Sequence, residues 1–222
     1  MATRIVPITT PISNAYLLVG ERIVVVDTLA PGNAKRILGV VEKLGRQPQD
    51  VSLILLTHGH GDHIGSADEL RSRTNALVAM HWADLEMLQP DFEPKLNPIG
   101  NMGRLLTKVS RPQTVQLAID MMLDGNTRLD RYGVDARAIE TPGHTPGSVS
   151  VLVAGGQAIV SDLLRGDFFW DGRPEYPFFA EDVGQLHSSL RNLVRLPLDV
   201  LHPGVGKPFT LEDMRRKFID IL

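Results

Sequence analysis

Between Leu53 and Ser66 the chain reads LILLTHGHGDHIGS, which sets His58, His60, Asp62 and His63 within six residues of one another. Imidazole and carboxylate are the donors a borderline cation accepts when thiolates are absent. Zinc suits them, and iron or manganese would also be held. Gly59 and Gly61 alternate with these donors, and glycine lets the backbone turn tightly enough for neighbouring side chains to converge on one point. The spacing therefore predicts a metal cage. The chain has no cysteine, so disulfides, a thiolate nucleophile and Cys-based zinc sites are excluded. His81 and His187 belong to no such cluster, and a solitary histidine is usually a structural or solvated residue.

The elements that must carry the cage follow from periodicity. Asn14–Val19 and Val24–Asp27 read as strands joined through Gly20-Glu21-Arg22 as a hairpin. Ile37, Val40, Val41 and Leu44 recur at helical spacing, and Gly45 stands where a C-terminal cap belongs. Leu53–Leu56 is too short for a helix and reads as a strand buried on both faces, which puts the histidines just past a strand end. A helix over Ala67–Arg73, a strand over Ala76–Ala79 and a helix near Trp82–Leu88 continue an α/β alternation. Residues 89–112 break the pattern with prolines and basic residues, and read as a partly helical insertion or lid. Strands resume at Asp135–Glu140, Ser148–Val153 and Gln157–Val160. A helix with Val183, Leu186, Leu190, Leu193 and Val194 on one face comes next, then a strand at Asp199–Leu201. The terminal helix begins at Thr210, where Asp213 completes a capping-box pattern.

With 222 residues, 43% hydrophobic and 22% charged, a single domain over 1–222 is expected. No apolar run approaches the roughly 18 residues of a membrane span, and the net charge of -3 gives no electrostatic reason to expect nucleic acid. The N-terminus shows no secretory-signal pattern, so a cytoplasmic location is expected. A small-molecule substrate and a homodimer complete the expected partners.

His58-x-His60-x-Asp62-His63 resembles the signature of the metallo-β-lactamase superfamily, and the resemblance runs nearly end to end. Asn14–Leu17 and Val24–Thr28 resemble its first motif. Thr141-Pro142-Gly143-His144-Thr145-Pro146-Gly147-Ser148 resembles the third, Ser161–Leu164 the fourth and His202–Gly206 the fifth. The glyoxalase II-like branch is closest in style. The resemblance implies an α/β fold, a four-layer αββα sandwich with its ligand loops at one sheet edge. It further implies that His58, His60 and His144 hold one metal, that Asp62 and His63 help hold a second, and that Asp162 bridges them. One or two zinc ions per chain are thus implied.

Three positions depart from the family pattern. Val205 stands where a final histidine is usual, leaving His202 as either the substitute ligand or a plain loop histidine. Ser161 and Leu29 stand where glycines are common, departures expected to bear on loop shape and the substrate side more than on the cage. Asp27, ending a buried strand, needs a partner, either by orienting the metal loop or by capping the turn through Thr28 and Gly32.

A cation held this way lowers the pKa of water to near 7, so the expectation is hydrolysis of a thioester, lactone or other activated ester by metal-bound hydroxide. Asp62 and Asp162 are the expected catalytic carboxylates. Few residues follow Gly206, whereas classical glyoxalase II carries a further helical domain that grips glutathione, so a glutathione thioester is the less favoured substrate. Arg104, Lys108, Arg111 and Arg165 are candidate partners for a substrate carboxylate, against the usual reading of such residues as solvated. The alternative implied by resemblance is an iron-dependent persulfide dioxygenase, with His58, His144 and Asp162 on one iron.

Overall fold

In the run Leu53–Leu56, Leu53 and Leu55 point one way and Ile54 and Leu56 the other, yet all four are fully buried. Such a strand needs a packing layer on each face. The computed structural model, which describes residues 2–93, 95–108, 115–169 and 172–222, supplies both layers.

The chain opens with β1 (Arg4–Thr9), β2 (Asn14–Val19) and β3 (Ile23–Val26), an antiparallel meander. Helix α1 (Ala34–Lys43) crosses to β4 (Val51–Leu55), and the short α2 (Gly61–Ile64) and α3 (Ala67–Thr74) lead to β5 (Leu77–His81). A 3-10 helix over Trp82–Leu88 and α4 (Gly100–Leu106) precede β6 (Met121–Leu123), which closes a first sheet of order β1-β2-β3-β4-β5-β6. The second sheet uses β7 (Asn126–Arg128), β8 (Ala136–Glu140), β9 (Val149–Val153) and β10 (Gln157–Ser161). After the small ribbon of β11 (Arg165–Gly166) and β12 (Pro174–Glu175), α5 (Val183–Leu193) returns the chain to β13 (Val200–Pro203), parallel to β10. β14 (Phe209–Thr210) and α6 (Leu211–Lys217) finish it, giving the order β14-β13-β10-β9-β8-β7. Each sheet thus contains an antiparallel meander whose last strand pairs in parallel with a strand that follows a helix.

Three apolar layers hold the sheets. Leu18, Val24, Val26, Leu53 and Leu55 meet Val149, Val151, Val153 and Ile159 between the sheets. Ile54 and Leu56 pack under Ile37, Val41 and Leu70 of α1 and α3, while Val160 and Leu201 pack under Leu186, Leu190 and Met214 of α5 and α6. This is the expected αββα sandwich. Among the described residues no helix is long and apolar enough to cross a membrane.

The strand ends meet at one edge. Asn14 Nδ2 donates to the carbonyls of Pro203 and Gly206, and Tyr16 Oη donates to Pro203 O at 2.6 Å, so the first meander anchors the loop after β13. Among the described residues six strands escaped the periodicity, and three of them, β11, β12 and β14, are only two residues long. β1 carries Pro7 and shows no clean alternation, as befits an edge strand, and β6 and β7 are three residues each. The predicted capping box of the last helix is present, with Thr210 Oγ1 accepting from Asp213 N.

Removing buried branched carbons between the sheets should cost about 2–5 kcal/mol, the usual range for Leu→Ala in a core. Leu55→Ala, measured by urea denaturation, is expected to fall in that range, whereas a loss below about 1 kcal/mol would mean that the inter-sheet layer packs loosely.

Candidate metal centre

β3 and β4 lie side by side, and their ends build the first half of the site. Asp27, 1% exposed, follows β3 with its backbone in the left-handed region at φ 60°. Its Oδ1 accepts from Thr57 N at 2.8 Å, and its Oδ2 accepts from Thr57 Oγ1 at 2.8 Å. His63 Nδ1 also lies 2.9 Å from Oδ2 and donates to it, which turns His63 Nε2 the other way. The turn reaches the same loop, since Thr28 N and Thr28 Oγ1 both donate to His63 O. From the other side, Ser13 Oγ donates to Asp62 O at 2.6 Å. Asp27 and Thr28 therefore act on the histidine loop together.

The second half comes from the loops after β8 and β10. His144 Nδ1 donates to Phe179 O at 2.8 Å, which leaves Nε2 facing inward, 3.0 Å from His60 Nδ1. One nitrogen from each of His58, His60 and His144 lies within 4.8 Å of the others, and Asp27, His58 and His63 form a second such group. Asp162, just past β10, spans the two halves: Oδ1 lies 3.5 Å from His63 Nε2 and Oδ2 lies 3.7 Å from His144 Nε2. Asp62 Oδ2 stands 3.8 Å from His63 Nε2 with its side chain 40% exposed. The fold thus brings together His58, His60, Asp62, His63, His144 and Asp162.

Three buried atoms in this cluster, His58 Nε2, His63 Nε2 and Asp162 Oδ1, have no hydrogen-bond partner. Each such atom costs about 1–3 kcal/mol unless something satisfies it. A Cβ on Gly204 would fall 2.1 Å from Asp162 Oδ1 and 2.8 Å from His63 Cε1, so glycine keeps this corner open. The donor set fits a cation bound by nitrogen and oxygen.

Burial lowers the pKa of His58 well below the ordinary imidazole value, and the neighbouring rings of His63, His144 and His60 add to the effect. His60 is lowered likewise, by burial and then by His144 and His63. Both imidazoles therefore keep free lone pairs at neutral pH. His63 goes the opposite way: burial opposes its charge, but Asp162, Asp62 and Asp27 outweigh burial and raise it to about 10.

His202 does not join the cluster, which corrects its reading as a substitute ligand. β13 runs beside β10 with His202 opposite Ile159, so its side chain lies back along the strand. Its Nε2 pairs with Gln157 Oε1 at 2.9 Å, and its ring packs edge-on against Tyr16. Val205 is buried and contributes its carbonyl to Gly166 N.

Leu29 and Ser161 have positive φ, 62° and 45°, the region where glycine is at ease. Ser161 does more than shape the loop. Its Oγ lies 2.6 Å from Thr57 Oγ1 and 3.4 Å from His58 Nδ1, so this departure bears directly on the cage. His81 is structural: its Nδ1 accepts from Ala83 N and its Nε2 faces Glu140. His187 pairs with Tyr176 Oη. In the described part of the 89–112 segment, 89–93 and 95–108, α4 is helical, and Ile99 N bonds to Phe178 O beside the carbonyl that holds His144. Arg104 and Lys108 are exposed, the Arg165 guanidinium stacks 4.6 Å from the Phe178 ring centroid, and Arg111 lies outside the described residues.

Asp84 is the site residue that the motif reading misses. It is fully buried and accepts from Gly59 N, Thr145 Oγ1 and Gly147 N. Burial raises its pKa, and those three donors, led by Thr145, pull against that rise. A signal was present: Asp84 and Met87 stand three residues apart, which in a 3-10 helix places both on one face, here a buried one.

Residues 8–205 match the family model described as the metallo-beta-lactamase superfamily. YobT of Bacillus subtilis, an uncharacterized protein, is 35% identical over 175 residues, covering 74% of this chain and 68% of its own. The hydroxyacylglutathione hydrolase of Xanthomonas axonopodis pv. citri is 29% identical over 190 residues, which cover 84% of this chain and 57% of that one. Among solved structures, TTHA1623 in a di-iron-bound form superposes with a TM-score of 0.67 at 26% identity, covering 96% of this chain and 97% of that one.

Zinc titration with elemental analysis checks the assignment of donors. His58→Ala should lose most bound zinc, and His202→Ala should leave the wild-type stoichiometry unchanged. A drop in stoichiometry for His202→Ala would return that residue to the ligand set.

Proposed function

Because this chain belongs to the metallo-β-lactamase superfamily, we propose that its donor cluster serves a metal-dependent hydrolase acting on a thioester, lactone or other activated ester. The observation that carries this reading is the convergence of unpartnered, buried donor atoms from His58, His63 and Asp162 at the seam between the sheets. His58, His60, His63, His144 and Asp162 are the residues that would hold the metal, with Asp62 at its open side. When bound, a divalent cation brings the pKa of water to near 7 and polarises a carbonyl oxygen.

The chain's own groups do the rest. Asp27 holds the Nδ1 proton of His63, so Nε2, whose own proton the neighbouring carboxylates stabilise without a cation, is the nitrogen that a cation would take. Phe179 O does the same for His144. Asp62, the most solvent-accessible of the three carboxylates around His63, could accept a proton from an incoming water or complete the ligand set. Ser148 bonds to Thr145 Oγ1, and Ser161 Oγ bonds at 2.6 Å to Thr57 Oγ1 while standing 3.4 Å from His58 Nδ1, a longer contact than an activated nucleophile makes with its base.

The glyoxalase II-like branch is supported by the 29% identity to a hydroxyacylglutathione hydrolase. The chain spans little more than half of that relative, so we keep the acyl-leaving-group chemistry and leave the thiol open. Zinc and iron both suit the donors. An oxygenase needs only His58, His144 and Asp162 on one iron, and the additional convergence of His60 and His63 favours the hydrolytic reading.

The test is metal analysis of the purified protein together with rates on thioesters, lactones and a chromogenic β-lactam, with oxygen uptake followed on a persulfide. Hydrolysis in at least one ester class is expected. Asp162→Asn keeps the size but weakens the charge, and should cost at least about a hundredfold in rate. An unchanged rate at saturating metal would remove Asp162 from the mechanism, and oxygen consumption without ester hydrolysis would replace the hydrolase reading.

A further inference from the structure

The three histidines nearest one another come from two separate loops, His58 and His60 after β4 and His144 after β8, so something must fix the distance between those loops. We propose that Asp84 is the positioning residue that does so, its single carboxylate clamping the two loops at the spacing the metal requires. The proposal rests on the metal-centre reading above and adds a residue that lies on neither loop.

The geometry is specific. Asp84 Oδ2 accepts from Gly59 N, between His58 and His60, at 3.1 Å, and from Thr145 Oγ1, next to His144, at 2.6 Å. Oδ1 accepts from Gly147 N at 2.6 Å. Both oxygens thus face donors, and the group is fully buried. The helix that carries Asp84 presses on the same loops. A Cβ on Gly59 would lie 2.7 Å from Met87 Cβ and Sδ, and one on Gly147 would lie 2.6 Å from Asp84 Oδ1. Two of the motif glycines are therefore needed because this helix approaches so closely. The helix is in turn held at its start, where His81 Nδ1 accepts from Ala83 N and His81 Nε2 pairs with Glu140 Oε1 across to the second sheet.

This arrangement makes asparagine a poor substitute in spite of its shape. An amide has one acceptor oxygen, so its NH2 must face either Gly147 N–H or Gly59 N–H, donor against donor, even where the Thr145 hydroxyl turns to accept. The loops would then separate on one side or the other, and the histidines with them.

The experiment measures zinc affinity by competition with a chromophoric chelator, alongside melting temperatures in zinc and in EDTA. The proteins are wild type, Asp84→Asn, Thr145→Val and a stability control, Leu190→Ala in the α5 layer. Asp84→Asn should weaken zinc binding about 10–100-fold, the range seen when groups that orient metal ligands are lost. It should also shrink the melting-temperature gain that zinc gives. Thr145→Val removes one of the three hydrogen bonds, should weaken zinc about two- to tenfold, and carries the test if Asp84→Asn fails to fold. Leu190→Ala should melt lower with its zinc affinity intact. If the Asp84 and Thr145 variants melt lower but bind zinc as wild type does, Asp84 is a packing residue only and the proposal falls alone. Wild-type protein that takes up no zinc would overturn this proposal together with the metal-centre reading.

Discussion

The buried carboxylate of Asp27 is the contact on which the site depends. It receives the Thr57 amide, the Thr57 hydroxyl and the Nδ1 proton of His63, so the end of β3, the end of β4 and the start of α2 are fixed by one group. A charge at 1% exposure is tolerated only when hydrogen bonds replace its water. Here the compensation also orients a ligand, because a proton held on Nδ1 leaves Nε2 as the only lone pair His63 can offer. The inter-sheet layer supplies the dry surroundings that make each of these hydrogen bonds count.

Local backbone strain marks the same region. Asp27, Leu29 and Ser161 all have positive φ without being glycine, and such residues cost about 1–3 kcal/mol each. All three lie against the histidine loop or just before Asp162. The cost is offset by the packing of β3, β4 and β10 between apolar layers and, at Ser161, by a hydroxyl bonded to Thr57.

Much of this was legible in the sequence, for identifiable reasons. The aliphatic run Leu53–Leu56 announced a strand with two packed faces, and the spacing of His58, His60, Asp62 and His63 announced convergence. The halves of the chain share a pattern of meander and crossover, which placed His144 and Asp162 near the first cluster once their motifs were recognised. What stayed hidden was direction. Nothing in Pro203-Gly204-Val205-Gly206 says that β13 aligns His202 with Ile159, and that register turns its imidazole toward Gln157 instead of the cage. Asp84 stayed hidden because a carboxylate in a helical stretch reads as solvated until the approach of two glycine loops is seen. β6 and β7 were too short to show a period.

The central claim is that imidazole nitrogens from both halves of the chain bind one metal centre, and X-ray absorption spectroscopy of the zinc-loaded protein addresses it directly. The account predicts a first shell of nitrogen and oxygen at about 2.0–2.1 Å with the multiple-scattering signature of several imidazoles. That signature should weaken when His144, from the second half, is replaced by alanine. An all-oxygen shell without imidazole scattering, or a spectrum unchanged by His144→Ala, would contradict it.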